Sequence, residues 1–203
     1  MKTADEFSSP PTDYNLLVPD GWFEISLDPE ERDQSILALV DLQFRGVDNA
    51  PHLKRELMTD LQKRAKRAYG IGGTQLYLSL LTAGPVPLAS SLLISVPAAD
   101  EWSACSNADE LAAHLADRWP GEDTELGVKK LEAAGDAVRV RRRDAPNPDS
   151  QMGNTLPVTT LTYYVPIPTA RRWLMLNFST PMDPLADQMV HLFDTVAGTL
   201  HWI

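Results

Sequence analysis

The chain is poor in the residues that several common chemistries require. Of its 203 residues only Cys105 is a cysteine, which excludes an intrachain disulfide and any zinc site built from several cysteines. Basic residues are in deficit, 18 Lys and Arg against 28 Asp and Glu, for a net charge of −10. That balance opposes adhesion of the whole surface to nucleic acid or anionic lipid, so general nucleic-acid binding is not expected. No run approaches the roughly 18 consecutive apolar residues of a membrane-spanning helix. The opening Met1–Phe7 holds Asp5 and Glu6 and leads into Ser8-Ser9-Pro10-Pro11. It lacks the apolar core of about 7–15 residues that a secretory signal needs, and a cytoplasmic protein is the expectation. Residues 1–13 read as a flexible arm, because polar, Pro-rich termini bury too little to order themselves.

What is present is an ordinary globular composition, 43% hydrophobic and 23% charged, which excludes wholesale disorder. The length suits one substantial domain, expected over residues 14–203. Charge is segregated along it. Residues 1–51 set Lys2, Arg32 and Arg45 against eleven acids, and residues 97–136 set three basic residues against ten. Between them, residues 52–67 carry six basic residues and only Glu56 and Asp60, while Arg139, Arg141, Arg142 and Arg143 cluster further on. No internal repeat or linker accompanies these shifts.

Turn and periodicity signals give the order of elements. Tyr14–Val18 and Trp22–Leu27 read as two strands of a hairpin around Pro19-Asp20-Gly21. Asp28-Pro29-Glu30-Glu31 reads as a helix start with Ile36, Leu37, Val40 and Phe44 as its apolar stripe, although Ile36–Phe44 also fits a strand. Leu53, Leu57, Leu61, Ala65 and Ala68 recur at helical spacing over Pro51–Tyr69. Thr74–Leu81 and Leu88–Val96 form a second hairpin around Gly84-Pro85-Val86-Pro87. A helix over Asn107–Asp117, capped by Ser106, buries Leu111 and Leu115. Four strands follow at Glu125–Leu131, Ala137–Arg143, Pro157–Ile167 and Arg171–Thr180. A last helix starts at Asp183-Pro184, carries His191 and His201, and buries Leu185, Met189, Phe193, Val196 and Leu200. Strands joined by short turns pair antiparallel, so the fold class is α+β: a single-domain α/β/α sandwich with a mainly antiparallel sheet of about six to eight strands flanked by helices.

This order, with Val18-Pro19-Asp20-Gly21-Trp22 and Leu176-Asn177-Phe178-Ser179-Thr180-Pro181 running into Phe193–Leu200, resembles the PsbP-like superfamily. That superfamily holds the extrinsic photosystem II protein PsbP, the yeast Ran-binding nuclear-import factor and the DcrB-type bacterial proteins. The resemblance implies an antiparallel sheet between helices, a role in binding other proteins, no catalytic set and no cofactor. Some relatives tied to bacterial secretion are effector chaperones.

Residue chemistry adds little to that. His52, His114, His191 and His201 lack metal-ligand spacing and read as surface or packing residues. Gly70-x-Gly72-Gly73 closes a helix and precedes a strand, the reverse of a phosphate loop, and reads as a C-cap. There is no GxSxG elbow. Cys105 precedes a helix start, a place that lowers a thiol pKa, yet a lone cysteine of this kind reads as inert.

Two constellations stand out. Period two puts Arg139, Arg141 and Arg143 on one strand face, where they suit carboxylates or phosphates, or are neutralised by the protein's own acids. Strict alternation also collects Tyr77, Ser79, Ser91, Ser95, Thr160, Thr162, Tyr164, Trp173, Met175, Asn177 and Ser179 on one side, with Leu76, Leu78, Leu80, Leu92, Ile94, Val96, Leu161, Leu174, Leu176 and Phe178 on the other. The second set is a dry core. The first is a groove wall if helices leave it open, with Tyr77, Ser79, Ser91, Thr160, Thr162, Tyr164, Trp173 and Asn177 as its candidate contacts. The leading reading is a non-enzymatic protein-binding or adaptor protein, in its finer form a secretion-linked chaperone, whose partner is another protein. An enzyme whose site assembles from scattered residues and an anion-binding regulatory module on the arginine strand are the alternatives. A homodimer is compatible with the sequence.

Overall fold

A computed structural model describes residues 9–46, 49–98, 102, 104–121, 123–146 and 156–203. Residues 1–8 of the expected arm lie outside the described residues; of the remainder, Thr12 N donates to Ile203 O and Ile203 N to Asp13 O. The elements run β1 (Tyr14–Asn15), β2 (Trp22–Ser26), α1 (Arg32–Gln43), α2 (Pro51–Gly70), β3 (Gly73–Ser79), β4 (Thr82–Ala83), β5 (Val86–Pro87) and β6 (Ser91–Ser95). They continue with α3 (Ala108–Arg118), β7 (Thr124–Leu131), β8 (Gly135–Asp144), β9 (Val158–Pro166) and β10 (Trp173–Thr180). A 3-10 turn at Asp183–Leu185, α4 (Ala186–Ala197) and β11 (His201–Trp202) complete the chain.

Seven strands form one antiparallel sheet in the order β2-β3-β6-β10-β9-β8-β7. The α+β sandwich read from the sequence is therefore the observed one. The first hairpin is not. Gly21, at φ 85°, and the bond from Trp22 N to Pro19 O do turn the chain, but β1 pairs with β11 and β2 pairs with β3. Pairing with β11 sets Tyr14 beside Trp202, which is buried in the core that Tyr14 packs against.

Three apolar clusters show which helix covers which face. On one face α4 lays Met189, Val190 and Phe193 on Leu174, Leu176, Phe178, Leu92, Ile94, Leu161 and Tyr163. Phe178 and Phe193 stack at 4.9 Å, and Trp22 meets Phe193 edge-on at 6.3 Å. On the other face α1 and α2 cover Ile25, Leu76 and Leu78 at the β2–β3 end. There α3 covers Val138, Val140, Tyr164 and Trp173 at the opposite end.

Local details depart from the sequence reading in physically legible ways. Ile36–Phe44 is helical up to Gln43, and its buried residues are Ile36, Leu39 and Val40, while Leu37 faces solvent. On α2, Leu61, Ala65 and Ala68 are buried, Leu57 is partly buried against the same cluster and Leu53 is exposed, so the packed stripe starts one turn later than the apolar pattern does. The cap of α3 is Asn107, one residue later than expected: its Oδ1 accepts from Glu110 N at 2.9 Å, and Glu110 Oε2 accepts from Ser106 N at 2.7 Å, a reciprocal capping box. The final helix ends at Ala197, so Leu200 is buried beyond it and His201 lies in β11 rather than on a helix with His191.

The α2–β3 junction depends on Gly72, at φ 86°, whose missing Cβ would lie 2.6 Å from Val96 O. Gly72→Ala therefore meets both backbone strain and a backbone clash, and should lower the stability by about 2–4 kcal/mol in urea unfolding. A change below about 0.5 kcal/mol would contradict this reading of the junction.

Candidate functional site

The arginine strand is an internal fastener. Arg139, Arg141 and Arg143 of β8 share the α4 face, as alternation requires, and the last helix with its preceding turn brings carboxylates to them. Arg139 Nε and Nη2 donate to Asp194 at 2.8 and 3.1 Å, and Arg143 donates twice to Asp183 at 2.9 and 3.1 Å. Arg141 donates to Asp187 at 2.5 Å, with Glu125 at 3.4 Å. Three guanidiniums that could have met a foreign anion are thus occupied by the chain's own acids.

Asp194 is the best-buried end of this ladder. It also accepts from Tyr163 Oη at 2.6 Å and lies 3.5 Å from Lys129 Nζ. Burial pushes its carboxyl up, but hydrogen bonds from Arg139 and Tyr163 and the charges of Arg139 and Lys129 outweigh that and hold it below the usual carboxylate range. Burial and the neighbouring Asp194 push the Tyr163 phenol up, so it stays a donor. Each charge of this cluster is thus held by a partner of the opposite sign from another element.

The opposite face is different. Registry sets Ser91 of β6 beside Ser179 of β10, Ser179 beside Thr160 of β9, Thr160 beside Arg142 of β8, and Arg142 beside Thr124 of β7. This row crosses five strands, about 19 Å at roughly 4.8 Å per strand. The next row holds Leu93, Asn177 and Thr162. Among the described residues the helices of this face pack on β2 and β3 or on β7 to β9, leaving Ser91, Leu93, Thr160, Met175, Asn177 and Ser179 half-buried along a valley between the two helical packets. Its polar groups bond to one another: Ser91 Oγ and Ser179 Oγ lie 2.8 Å apart, and Asn177 Nδ2 donates to Thr162 Oγ1 at 2.8 Å. At the valley's end the Arg142 guanidinium stacks over Trp119, 4.9 Å from the ring centroid, and pairs with Asp144.

Six of the eight residues expected on the groove wall share this face, and three of those six, Ser91, Thr160 and Asn177, lie half-buried in the valley, with Thr162 buried beside Asn177. Tyr164 and Trp173 share the face but are buried under α3, where Trp102 meets Tyr164 edge-on at 5.2 Å. Tyr77 and Ser79 lie on the α4 face, and Leu76, Leu78 and Leu80, expected with Leu92 and Ile94, are partly buried against the α1–α2 cluster on the valley side. The cause is an irregularity at Gly73–Gln75, where the β3–β6 register shifts and reverses the parity of β3 relative to β6. Tyr77 belongs instead to an edge cluster in which Tyr14 Oη donates to Gln75 Oε1 and Gln75 Nε2 to Glu24 Oε1, at 2.7 and 2.8 Å. Burial and then Glu24 push the Tyr77 phenol up. Leu93 and Arg142 were missed by sequence reasoning; only the register, which one strand alone does not carry, could have found them.

The remaining candidates are dispersed. His52, His114 and His191 are exposed and His201 Nδ1 lies 3.3 Å from Thr199 O. Among the described residues no three His, Cys, Asp or Glu side chains gather as metal ligands. The Cys105 thiol is pushed up, by burial and by Glu110, so the expected lowering at a helix start does not occur. Among the described residues no helix is long and apolar enough to cross a membrane.

No family model and no curated protein matches the chain. Its structure is similar to the solution structure of cyanobacterial PsbP (CyanoP) from Synechocystis sp. PCC 6803, with 15% identity, a TM-score of 0.41, and coverage of 94% of this chain and 86% of that one. A likeness at that score carries no weight for kinship or function.

If the ladder fastens α4, Asp194→Asn should cost about 2 kcal/mol by leaving Arg139 half-buried without its anion, while Asp183→Asn, at the exposed end, should hardly shift thermal unfolding. Because the folded Asp194 carboxyl titrates below its unfolded value, its stabilisation is full above the unfolded pKa and is lost as pH falls through the folded one. The wild type should therefore lose more stability than Asp194→Asn as the pH falls from 6 to about 3. Equal losses would show that the carboxylate is not held in this way.

Proposed function

We propose that this chain is a non-catalytic protein-binding module that holds an extended, polar segment of a partner protein in the valley between α1–α2 and α3. The observation that carries the reading is the row Ser91, Ser179 and Thr160, three short hydroxyls side by side across β6, β10 and β9, followed by Arg142 and Thr124, on a face whose two ends are packed with helices. Short hydroxyls present donors and acceptors at strand spacing without filling the space above them, which suits a partner's main chain, and Arg142, held by Asp144 and Trp119, bounds the row on the β8 side. The proposal takes the chain as a cytoplasmic module that works without a cofactor. A secretion-linked chaperone, which keeps a client segment extended, is the finer form that the superfamily resemblance suggests.

Display of a random linear-peptide library against the intact chain tests this. Selected peptides should weaken at least tenfold in Kd on Asn177→Trp and on Ser91→Tyr, which fill the valley. Because bulk can disturb folding, Thr160→Ala serves as a mild variant that should weaken the same peptides without shifting thermal unfolding. Peptides that bind all three variants as well as the wild type would overturn the proposal.

A further inference from the structure

At the far edge of the sheet β7 pairs with β8 and, among the described residues, with no other strand. A bare edge of this length exposes a row of main-chain donors and acceptors. Lysines on an edge ordinarily discourage pairing, and β7 carries Lys129 and Lys130. Their positions, however, make the strand complementary to itself. Reading Glu125-Leu126-Gly127-Val128-Lys129 outward from Gly127 gives an apolar residue on each side, then an acid on one side and a base on the other.

We propose that β7 is the interface of a homodimer in which two copies pair antiparallel about a two-fold axis at Gly127, joining two seven-stranded sheets into one. In that register Glu125 of each copy lies opposite Lys129 of the other, and Leu126 opposite Val128. Both charge pairs fall on the α4 face and both apolar pairs on the valley face. Cross-strand pairs of opposite charge and of apolar side chains each favour such a register, and a two-fold axis makes every one of them count twice. Slipping by two residues sets Glu125 opposite Gly127 or Leu131 and loses the Glu125–Lys129 pairs; the first of these slips sets Lys129 opposite Asp123 but leaves Glu125 without a base and Leu126 facing itself. The side chains reach solvent at the edge: Val128 is 41% exposed, Glu125 is 62% exposed while lying 3.4 Å from Arg141, and Lys129 is 44% exposed while lying 3.5 Å from Asp194, so each can turn to a partner strand at the loss of only a long ion pair. Gly127 has nothing within 4 Å of where a Cβ would stand, so the strands can meet closely at the axis. A cleft of about 300 Å³ runs along Glu125–Lys129 and Arg139 on the same edge.

Sedimentation equilibrium of the intact chain tests the inference against a monomer mass of 22.5 kDa. The wild type should reach twice that mass at micromolar to high-micromolar concentration. Glu125→Lys alone and Lys129→Glu alone each set like charges opposite one another and should raise the dissociation constant at least tenfold. An equimolar mixture of the two should recover the dimer, because each Lys then faces a Glu across the axis, an outcome no local folding defect would produce. Gly127→Asp, which has room in the monomer, sets two carboxylates together at the axis and should also dissociate the dimer. A wild type that stays monomeric at high concentration, a dimer indifferent to these substitutions, or a mixture that fails to recover would each overturn the inference.

Discussion

The antiparallel pairing of β10 at the middle of the sheet is the constraint from which the rest of the molecule follows. Its side chains alternate without a break, Leu174, Leu176 and Phe178 to one side and Trp173, Met175, Asn177 and Ser179 to the other. Both neighbours, β6 and β9, are locked to it residue by residue. Every later consequence is a matter of parity: the side that receives Phe178 must be roofed by something apolar, and the side that receives Ser179 need not be. A one-residue slip would exchange the two sides, exposing phenylalanine and burying serine.

Parity also decides what the arginines do. Arg139, Arg141 and Arg143 project to the side that α4 must cover, so a helix with only apolar residues would bury three cations against it. The last helix and its preceding turn solve this by carrying Asp183, Asp187 and Asp194 where they meet the guanidiniums. Pairs exposed as fully as Arg143–Asp183 add little on their own, while Asp194, with two donors and a cation beside it, fixes the position of the helix as well as adding stability. Arg142, of opposite parity, escapes the ladder and faces the valley. Four arginines adjacent or nearly so in sequence thus do two unrelated things.

Much of this was legible in the sequence, and the limits have physical causes. The four strands from Thr124 to Thr180 and the helix over Pro51–Gly70 were bounded within a few residues, because strict alternation and a long apolar stripe are local signals. The shared face of the three arginines was legible for the same reason. Their partners were not, since Asp194 lies 55 residues from Arg139 and nothing local joins them. The pairing of Tyr14 with Trp202 was hidden likewise. The assignment of Tyr77 and Ser79 failed because face membership within β3 is local, whereas the phase between β3 and β6 is set by the irregularity at Gly73–Gln75. Local alternation identifies the two sides of a strand; only pairing says which side is shared.

Thiol labelling of single cysteines in a Cys105→Ser background measures the two-sided character of the central strands directly. With cysteine placed at Ser91, Ser179, Leu92 or Leu176 in turn, the folded protein should label at positions 91 and 179 at rates independent of denaturant, through the half-buried valley. Positions 92 and 176 should label only through unfolding, with rates that rise steeply with urea. Equal protection at all four positions would mean that the valley is roofed, and fast labelling at 92 and 176 with protection at 91 and 179 would mean that the sheet is built with the opposite parity.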